Sequence, residues 1–388
     1  MVTRSVQEMR KFVAPEFVFG VDARGLAGRY TANFGAKKVL VVSDPGVCEA
    51  GWTDAVMASL ADAGIETTLY TDVTPNPRSH EAMRGAEEYR AHGCQAVVAV
   101  GGGSPMDCAK GICVVVSNGG DILVYEGVDR IPIPMPPLVC VPTTAGTAAD
   151  VSQFCIITDE HRDVKIALVS KALVPDVALI DAETLVTMPA DLTAATGLDA
   201  LVHAVEAFSS NASWEITDLC ALRAIEGVFR WLEPCMDDPL SIESRTGMAL
   251  ASLEAGLAFS NASLGATHAM AHALGGKLDL PHGECNALLL EHVLNFNLPV
   301  FSAGRRVQLA RAMGIAIDSA TDVEPQAISE RLHLFRHGIG VVDSLSSLGV
   351  TRADLPLLAE TAMGDACMVT NPRRPQQEDI EAIYEAAF

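Results

Sequence analysis

The texture of this chain changes once, near residue 187, and that change constrains the fold more than any single motif. Before it, short β-branched runs alternate with helix-like segments. Lys38 to Ser43 (KVLVVS), Glu66 to Tyr70 and Ala96 to Val100 (AVVAV) read as strands. Ala50 to Ala63, stopped by Gly64, and Ser79 to His92, followed by Gly93, read as helices. The strands are near-continuous apolar runs, the pattern expected when helices cover both faces of a sheet. Strands alternating with helices predict a doubly wound, Rossmann-like parallel sheet. The Pro-rich stretch Ile131 to Pro137 cannot sit in a central ladder and predicts an extended approach to a strand at Leu138 to Val141. From Pro189 onward strand signals nearly vanish, and Ala190 to Ser209, Glu215 to Leu232 and Ser241 to Ser260 carry helical periodicity. The expectation is an α/β domain over residues 1–187 and an all-α domain over 188–388. No repeat of solenoid period and no low-complexity tract interrupts either half.

Charge and cysteine usage exclude several roles. Lys and Arg number 27 against 49 Asp and Glu, a formal net charge of −22, whose field repels phosphate backbones and anionic lipid heads. No run approaches the roughly 18 apolar residues of a membrane-spanning helix. The opening MVTRSVQEMRKFVAPEF lacks a secretory apolar region. The ten cysteines contain no C-x-x-C pair and mostly lie in apolar company, which suits free thiols in a reducing, cytoplasmic setting.

Three loops at the ends of predicted strands point to a nucleotide. Gly101-Gly102-Gly103-Ser104-Pro105 follows AVVAV and precedes a helix. Glycines there let backbone N–H groups approach a ligand, Ser104 suits an N-cap, and Pro105 suits the first helical position. A helix N-terminus behind such a turn accommodates a pyrophosphate. The turn departs from the Rossmann fingerprint, because Met106 stands at the third glycine position, and no Walker Lys-Ser/Thr follows. Asp44 ends the first strand, where a carboxylate either accepts ribose hydroxyls and repels a 2′-phosphate, selecting NAD over NADP, or merely opens the turn before Pro45. Thr143, Thr144 and Thr147, with Gly146, form a polar loop after a further strand. Open α/β sheets bind ligands at the carboxyl ends of their strands, so the three loops together favour a dinucleotide.

The helical half carries metal-ligand chemistry. Asp199 and His203 are four apart, as are His268 and His272, so each pair shares a helix face with Cβ atoms about 5–6 Å apart. His282, between Pro281 and Gly283, is expected in a loop. A lone histidine is more often a core or surface residue than a ligand, and His80, His92, His161, His333 and His337 are left in that class. What distinguishes the other group is its company: four histidines and an aspartate in Gly/Ala-rich segments that permit close helix approach. Imidazole and carboxylate without thiolate suit Fe2+, Zn2+, Ni2+ or Mn2+, and spacing decides neither the metal nor which histidines reach it.

These residues resemble the iron-containing (group III) alcohol dehydrogenases. Leu179-Ile180-Asp181 through Pro189, Thr196, Asp199 and Glu206 is similar to one signature of that family; Gly265 to Gly276 through His282-Gly283-Glu284-Cys285 is similar to another. GGGSPMDCAK and PTTAGTAAD resemble its cofactor loops, and Thr370-Asn371-Pro372-Arg373 its C-terminal motif. The resemblance spans essentially the whole chain. It implies a dinucleotide-binding first domain and a metal-binding second domain, with the metal and nicotinamide meeting in the cleft between them. It further implies Asp199, His203, His268 and His282 as ligands of Fe2+ (Zn2+ being possible), with His272 near the site but not bound to the metal; an imidazole there titrates near working pH, which suits a proton relay. It places Gly102, Gly103 and Ser104 at the pyrophosphate, Thr143 and Thr144 on the nicotinamide side, Asp44 at the adenosine ribose, and Lys165 in contact with the NAD cofactor. Ala273 replaces a commonly found Pro, Glu284 and Cys285 stand where small apolar residues are usual, and Glu291 stands where Pro is common. These departures bear on substrate range and metal preference more than on the chemistry.

The activity so implied is the reversible oxidation of a primary alcohol or diol to the aldehyde, in a cytoplasmic homodimer or larger homo-oligomer that engages neither nucleic acid nor membrane. The strand-like Lys11 to Phe19 is expected to pair with another subunit. A zinc polyol dehydrogenase or a dehydroquinate-synthase-like enzyme is the nearest alternative. A metal-dependent hydrolase and a non-catalytic nucleotide sensor are more distant ones. Phe154 and Phe259 are candidates for setting pocket width.

Overall fold

The structure, a computed structural model, describes residues 9–317, 322–341 and 344–388. The first eight residues of the N-terminal stretch discussed above lie outside the described residues. The first half runs β1 (Glu16–Phe19), α1 (Ala27–Asn33), β2 (Lys38–Val42), α2 (Pro45–Glu49), α3 (Trp52–Asp62), β3 (Glu66–Tyr70), α4 (Ser79–Ala91), β4 (Ala96–Gly101), α5 (Gly103–Asn118), β5 (Gly127–Val128), β6 (Leu138–Pro142), β7 (Phe154–Asp159), β8 (Val164–Val169) and β9 (Val177–Ile180). The helical half follows as α6 (Ala190–Ser209), α7 (Glu215–Asp237), α8 (Ile242–Ala262), α9 (Ala266–Leu278), α10 (His282–Asn297), α11 (Ala303–Ala312), α12 (Pro325–Gly338), α13 (Leu355–Met363) and α14 (Gln377–Ala386). The change of texture falls between the end of β9 and the start of α6.

Six strands form one all-parallel sheet in the order β1-β9-β6-β4-β2-β3. β2, β4 and β6 are consecutive in that order and in close register, Val42 opposite Ala99 and Gly101 opposite Pro142. Their carboxyl ends therefore bring Asp44, the glycine turn and Thr143 side by side. The central strands are buried along their length, which explains the unbroken apolar runs.

Three local expectations are corrected. The helix read over Ala50–Ala63 is α3, Trp52–Asp62; it starts two residues later because Gly51 adopts φ 84°, and the short α2 before it was not anticipated. The segment Lys11–Phe19 contributes only Glu16–Phe19 as a strand, and that strand pairs in parallel with Val177–Ile180 of its own chain. A second, three-stranded sheet, β5-β8-β7, was not anticipated; β7 and β8 form an antiparallel hairpin over the charged turn at 160–163. Leu138–Pro142 does emerge as a strand from an irregular Pro-rich approach.

In the helical half, α6 is buried on every face after its first turn and packs among α7, α8 and α10. A helix apolar all round lies in the core, and polar residues there must be paired or held by a ligand. Asp199, His203 and Glu206 are buried on this helix, and α9 is likewise buried from Ala266 to Gly275, His268 and His272 included.

Candidate metal and dinucleotide cleft

The glycine turn begins α5 two residues earlier than its residue types suggest. Gly102 occupies the N-cap position in extended conformation, and its carbonyl already accepts the Met106 N–H. Ser104 and Pro105 therefore sit inside the first turn, which corrects both assignments. Side chains are excluded at the turn: a Cβ on Gly102 would meet Thr144 Cγ2 at 2.9 Å, and one on Gly103 would meet Thr147 Cγ2 at 2.9 Å. The threonine loop after β6 thus packs directly on the glycine loop after β4. Asp44 caps α2, its Oδ1 accepting the Val47 N–H at 2.9 Å.

Asp44, the glycine turn and the threonine loop line one cleft of about 790 Å³, within the range of small-molecule and cofactor sites. Asp44 stands at one part of its wall; Gly102, Gly103, Ser104, Thr143 and Thr144 form another; Asp199 and His282 lie on the side of the helical half. A smaller cavity of about 130 Å³ adjoins it, lined by Asp199, His203, His268, His272, His282, Lys165, Phe154, Phe259 and Leu264 among others. At about 30 Å³ per water in the liquid, it has room for roughly four water-sized groups.

The cluster at the shared wall is built from three helices. Asp199 of α6, His268 of α9 and His282 of α10 bring one donor atom each within 4.8 Å of one another. His282 is the first residue of α10, not part of a loop as its Pro and Gly neighbours suggested, because Pro281 supplies the extended residue that starts the helix. His268 is oriented from behind. Glu206 Oε2 accepts the His268 Nδ1–H at 2.7 Å, leaving Nε2 as the lone-pair nitrogen facing Asp199. Glu206 also accepts the N–H groups of Gly265 (2.9 Å) and Thr267 (2.6 Å), so one carboxylate both caps α9 and sets the tautomer of its histidine. Burial alone would raise Glu206, but the bonds from His268, Thr267 and Gly265 outweigh it and hold it below the usual carboxylate value. Gly265 is required here, since a Cβ would stand 3.0 Å from Glu206 Oε1.

His203 lies apart from that trio. Its ring stacks at 4.5 Å on His268 and at 4.2 Å on Phe259, and its Nδ1 bonds the Gly146 carbonyl at 3.1 Å, which leaves Nε2 free. Burial pushes His203 down to about 4, and burial with the nearby charge of Lys165 pushes His282 well below the ordinary imidazole value. Both are neutral near pH 7, the state a metal ligand needs. His272 is outside the trio as well: its ring stacks at 5.3 Å on His282 and its Nδ1 bonds Asp365. Lys165 on β8 lines the smaller cavity and donates to Asn76 Oδ1 at 2.7 Å; burial lowers its ammonium.

Asn286 escaped the sequence reading. Its amide nitrogen donates to Asp199 Oδ1 at 2.7 Å and lies 3.2 Å from His268 Nε2 and 3.1 Å from His282 Nε2. Three acceptors thus converge around a donor with two protons, while His282 Nδ1 and Asn286 Oδ1 are buried without a partner among the described residues. Converging lone pairs of nitrogen and carboxylate oxygen suit a divalent cation, so the residues present fit one. The signal for Asn286 was available: it follows His282 by four on the same helix. Glu206 stood only inside a motif, and Asp365 was not singled out at all.

Known proteins match this chain along its length. The family model described as iron-containing alcohol dehydrogenase matches residues 14–182, and that of the Fe-containing alcohol dehydrogenase family, C-terminal, matches residues 193–388. The chain is 41% identical to alcohol dehydrogenase 4 of Schizosaccharomyces pombe, covering 97% of this chain and 89% of that protein. It is 40% identical to the 1,3-propanediol dehydrogenase of Klebsiella pneumoniae, covering 95% and 96%. A solved structure of 1,3-propanediol oxidoreductase superposes with a TM-score of 0.92 at 38% identity, covering 98% of this chain and 100% of that one.

Proposed function

The chain belongs to the iron-containing alcohol dehydrogenase family, and on that premise we propose how its own residues carry the family's reaction. It is an NAD(H)-dependent oxidoreductase that uses Fe2+ and interconverts a small primary alcohol or diol with the aldehyde. Membership sets aside the hydrolase and sensor alternatives. The observation that carries the residue-level reading is the meeting of Asp199, His268 and His282, with Asp199 and His282 on the wall of the cleft that holds the glycine turn and His268 lining the cavity beside it.

In this reading Asp199, His203, His268 and His282 hold the divalent ion, and Glu206 keeps His268 in the tautomer that binds. The ion supplies Lewis acidity, which lowers the pKa of a bound hydroxyl, and the nicotinamide supplies the hydride acceptor. Gly102, Gly103 and Ser104 receive the pyrophosphate at the start of α5. Thr143 and Thr144 flank the nicotinamide side, Asp44 receives the adenosine ribose, and Lys165 contacts the cofactor from β8. His272 takes the proton of the substrate hydroxyl on its cavity-facing ring nitrogen and passes it to solvent. Phe154, Phe259 and Leu264 exclude water and limit the substrate to a few carbons. Residues 1–187 then act as the dinucleotide-binding domain and 188–388 as the metal-binding domain.

We take the enzyme to be cytoplasmic and homo-oligomeric. Its ten cysteines are all free thiols, which suits a reducing compartment, and no described helix is long and apolar enough to cross a membrane. β1 is an edge strand with Phe17 exposed, a surface open to a second copy, and sedimentation of the purified protein tests that assembly.

The deciding experiment loads the protein with Fe2+ under anaerobic conditions and follows NADH formation from 1-butanol and 1,3-propanediol. NADH with metal bound near one ion per chain is expected. His268→Ala and Asp199→Ala should abolish activity together with bound metal; full metal stoichiometry in either variant removes that residue from the ligand set.

A further inference from the structure

The C-terminal segment between α13 and α14 has no part in the reaction as described so far, yet it is bound to the metal-bearing helix at several points. Thr370 Oγ1 donates to the Leu264 carbonyl at 2.6 Å, and Asn371 Oδ1 accepts the Ala266 N–H at 3.2 Å at the start of α9. Asn371 Nδ2 donates to Asn297 Oδ1 at 2.9 Å, tying the segment to α10 as well. A short 3-10 turn, Ala366–Thr370, connects these anchors back to Asp365.

Asp365 is held at both oxygens. Oδ1 accepts the Cys367 N–H at 2.7 Å, which caps the turn, and Oδ2 lies 2.8 Å from His272 Nδ1. Its side chain is mostly buried, and that of His272 almost wholly so. We propose that Asp365 is a positioning residue for His272: it fixes the ring so that Nδ1 carries the hydrogen and Nε2 presents its lone pair to the cavity. The inference rests on His272 acting as the proton relay. An ionised carboxylate can only accept, so the bonded nitrogen is the donor. Against the effect of burial, N–H groups of His272 and Cys367 converge on the two oxygens of Asp365 and hold its carboxyl below the usual value. The neighbouring ligand His268 is set by the same device from Glu206, so two carboxylates, from α6 and from the C-terminal segment, orient two histidines one helical turn apart on α9.

The test compares Asp365→Asn, Asp365→Glu and His272→Ala in the metal-loaded enzyme with NAD. Asparagine can still accept from Cys367 through its oxygen, but it offers N–H groups to His272 Nδ1 and so favours the opposite tautomer. Asp365→Asn should lower kcat on the order of 10²–10⁴-fold, the contribution of a positioned general base, with KM, NAD binding and metal content unchanged. Asp365→Glu should restore part of the loss. Ring 15N shifts of the zinc-loaded, histidine-labelled protein should show one histidine exchanging its protonated nitrogen in Asp365→Asn. A slow His272→Ala beside a wild-type Asp365→Asn overturns the positioning role and leaves the relay standing. A wild-type His272→Ala overturns the relay itself. Loss of metal or of NAD affinity in Asp365→Asn makes Asp365 part of the scaffold and likewise overturns the proposal.

Discussion

Glu206 of α6 and His268 of α9 are joined by a 2.7 Å bond inside a fully buried part of the helical half, sixty-two residues apart in the chain. The carboxylate has four jobs for two oxygens' worth of lone pairs: it caps α9 twice, orients the histidine and carries a charge beside the Asp199–His268–His282 cluster. Glu206→Gln keeps the shape but presents N–H groups to one of these donors. Metal affinity should fall about 10–100-fold, read by competition with a chelator, while the fold survives. Unchanged affinity would show that His268 does not need the bond to bind.

Asp150 makes stability depend on pH in an unusual direction. Burial pushes its carboxyl up to about 6, only partly offset by its backbone bond and the charge of Lys110. The folded protein therefore holds a proton that the unfolded chain releases near pH 4. That contribution is complete below pH 4 and is lost as pH rises through 6, so the folded state is weaker at pH 7–8 by up to about 3 kcal/mol. Asp150→Asn, which resembles the protonated form, should raise Tm at pH 8 and have little effect at pH 4. Equal shifts at both pH values would refute the assignment.

Phe154 and Phe259 meet at 5.6 Å between ring centres and together form an apolar side of the smaller cavity. Phe154→Ala should raise kcat/KM for branched or aromatic alcohols relative to 1-butanol by about tenfold or more, since a few methylenes' worth of space is decisive in a pocket of this size. Some loss of Tm is expected from the deleted ring. An unchanged ratio of the two substrate classes would place the width limit elsewhere.

Asp44 caps α2 and also faces the large cleft. Glycine is tolerated at an N-cap at a cost of only a few tenths of a kcal/mol, so Asp44→Gly separates the two roles. Use of NADP relative to NAD should improve about tenfold or more, since the carboxylate no longer repels a 2′-phosphate. If the ratio of kcat/KM values stays as in the wild type, Asp44 serves the turn alone.

Much of the site is legible in the amino-acid sequence. The parallel sheet followed from apolar runs punctuated by glycine, and the glycine and threonine loops lay where β4 and β6 end. Asp199 with His203, and His268 with His272, were grouped by a spacing of four that the geometry of a helix enforces. The β7–β8 hairpin was missed because Thr158, Asp159, Lys165 and the charged turn dilute its apolar alternation.

Covalent geometry acts over one or two turns, so chain order is enough to say which residues share a strand end or a helix face, and from that which chemistry the chain can hold. It carries no information on the distance between faces of different helices. The meeting of α6, α9 and α10 at one trio of donor atoms, the placement of Asn286 at its centre, and the 93-residue reach from His272 to Asp365 arise from packing. Burial then does the rest, since a polar group removed from water must find a partner, and only the folded chain determines which one it finds.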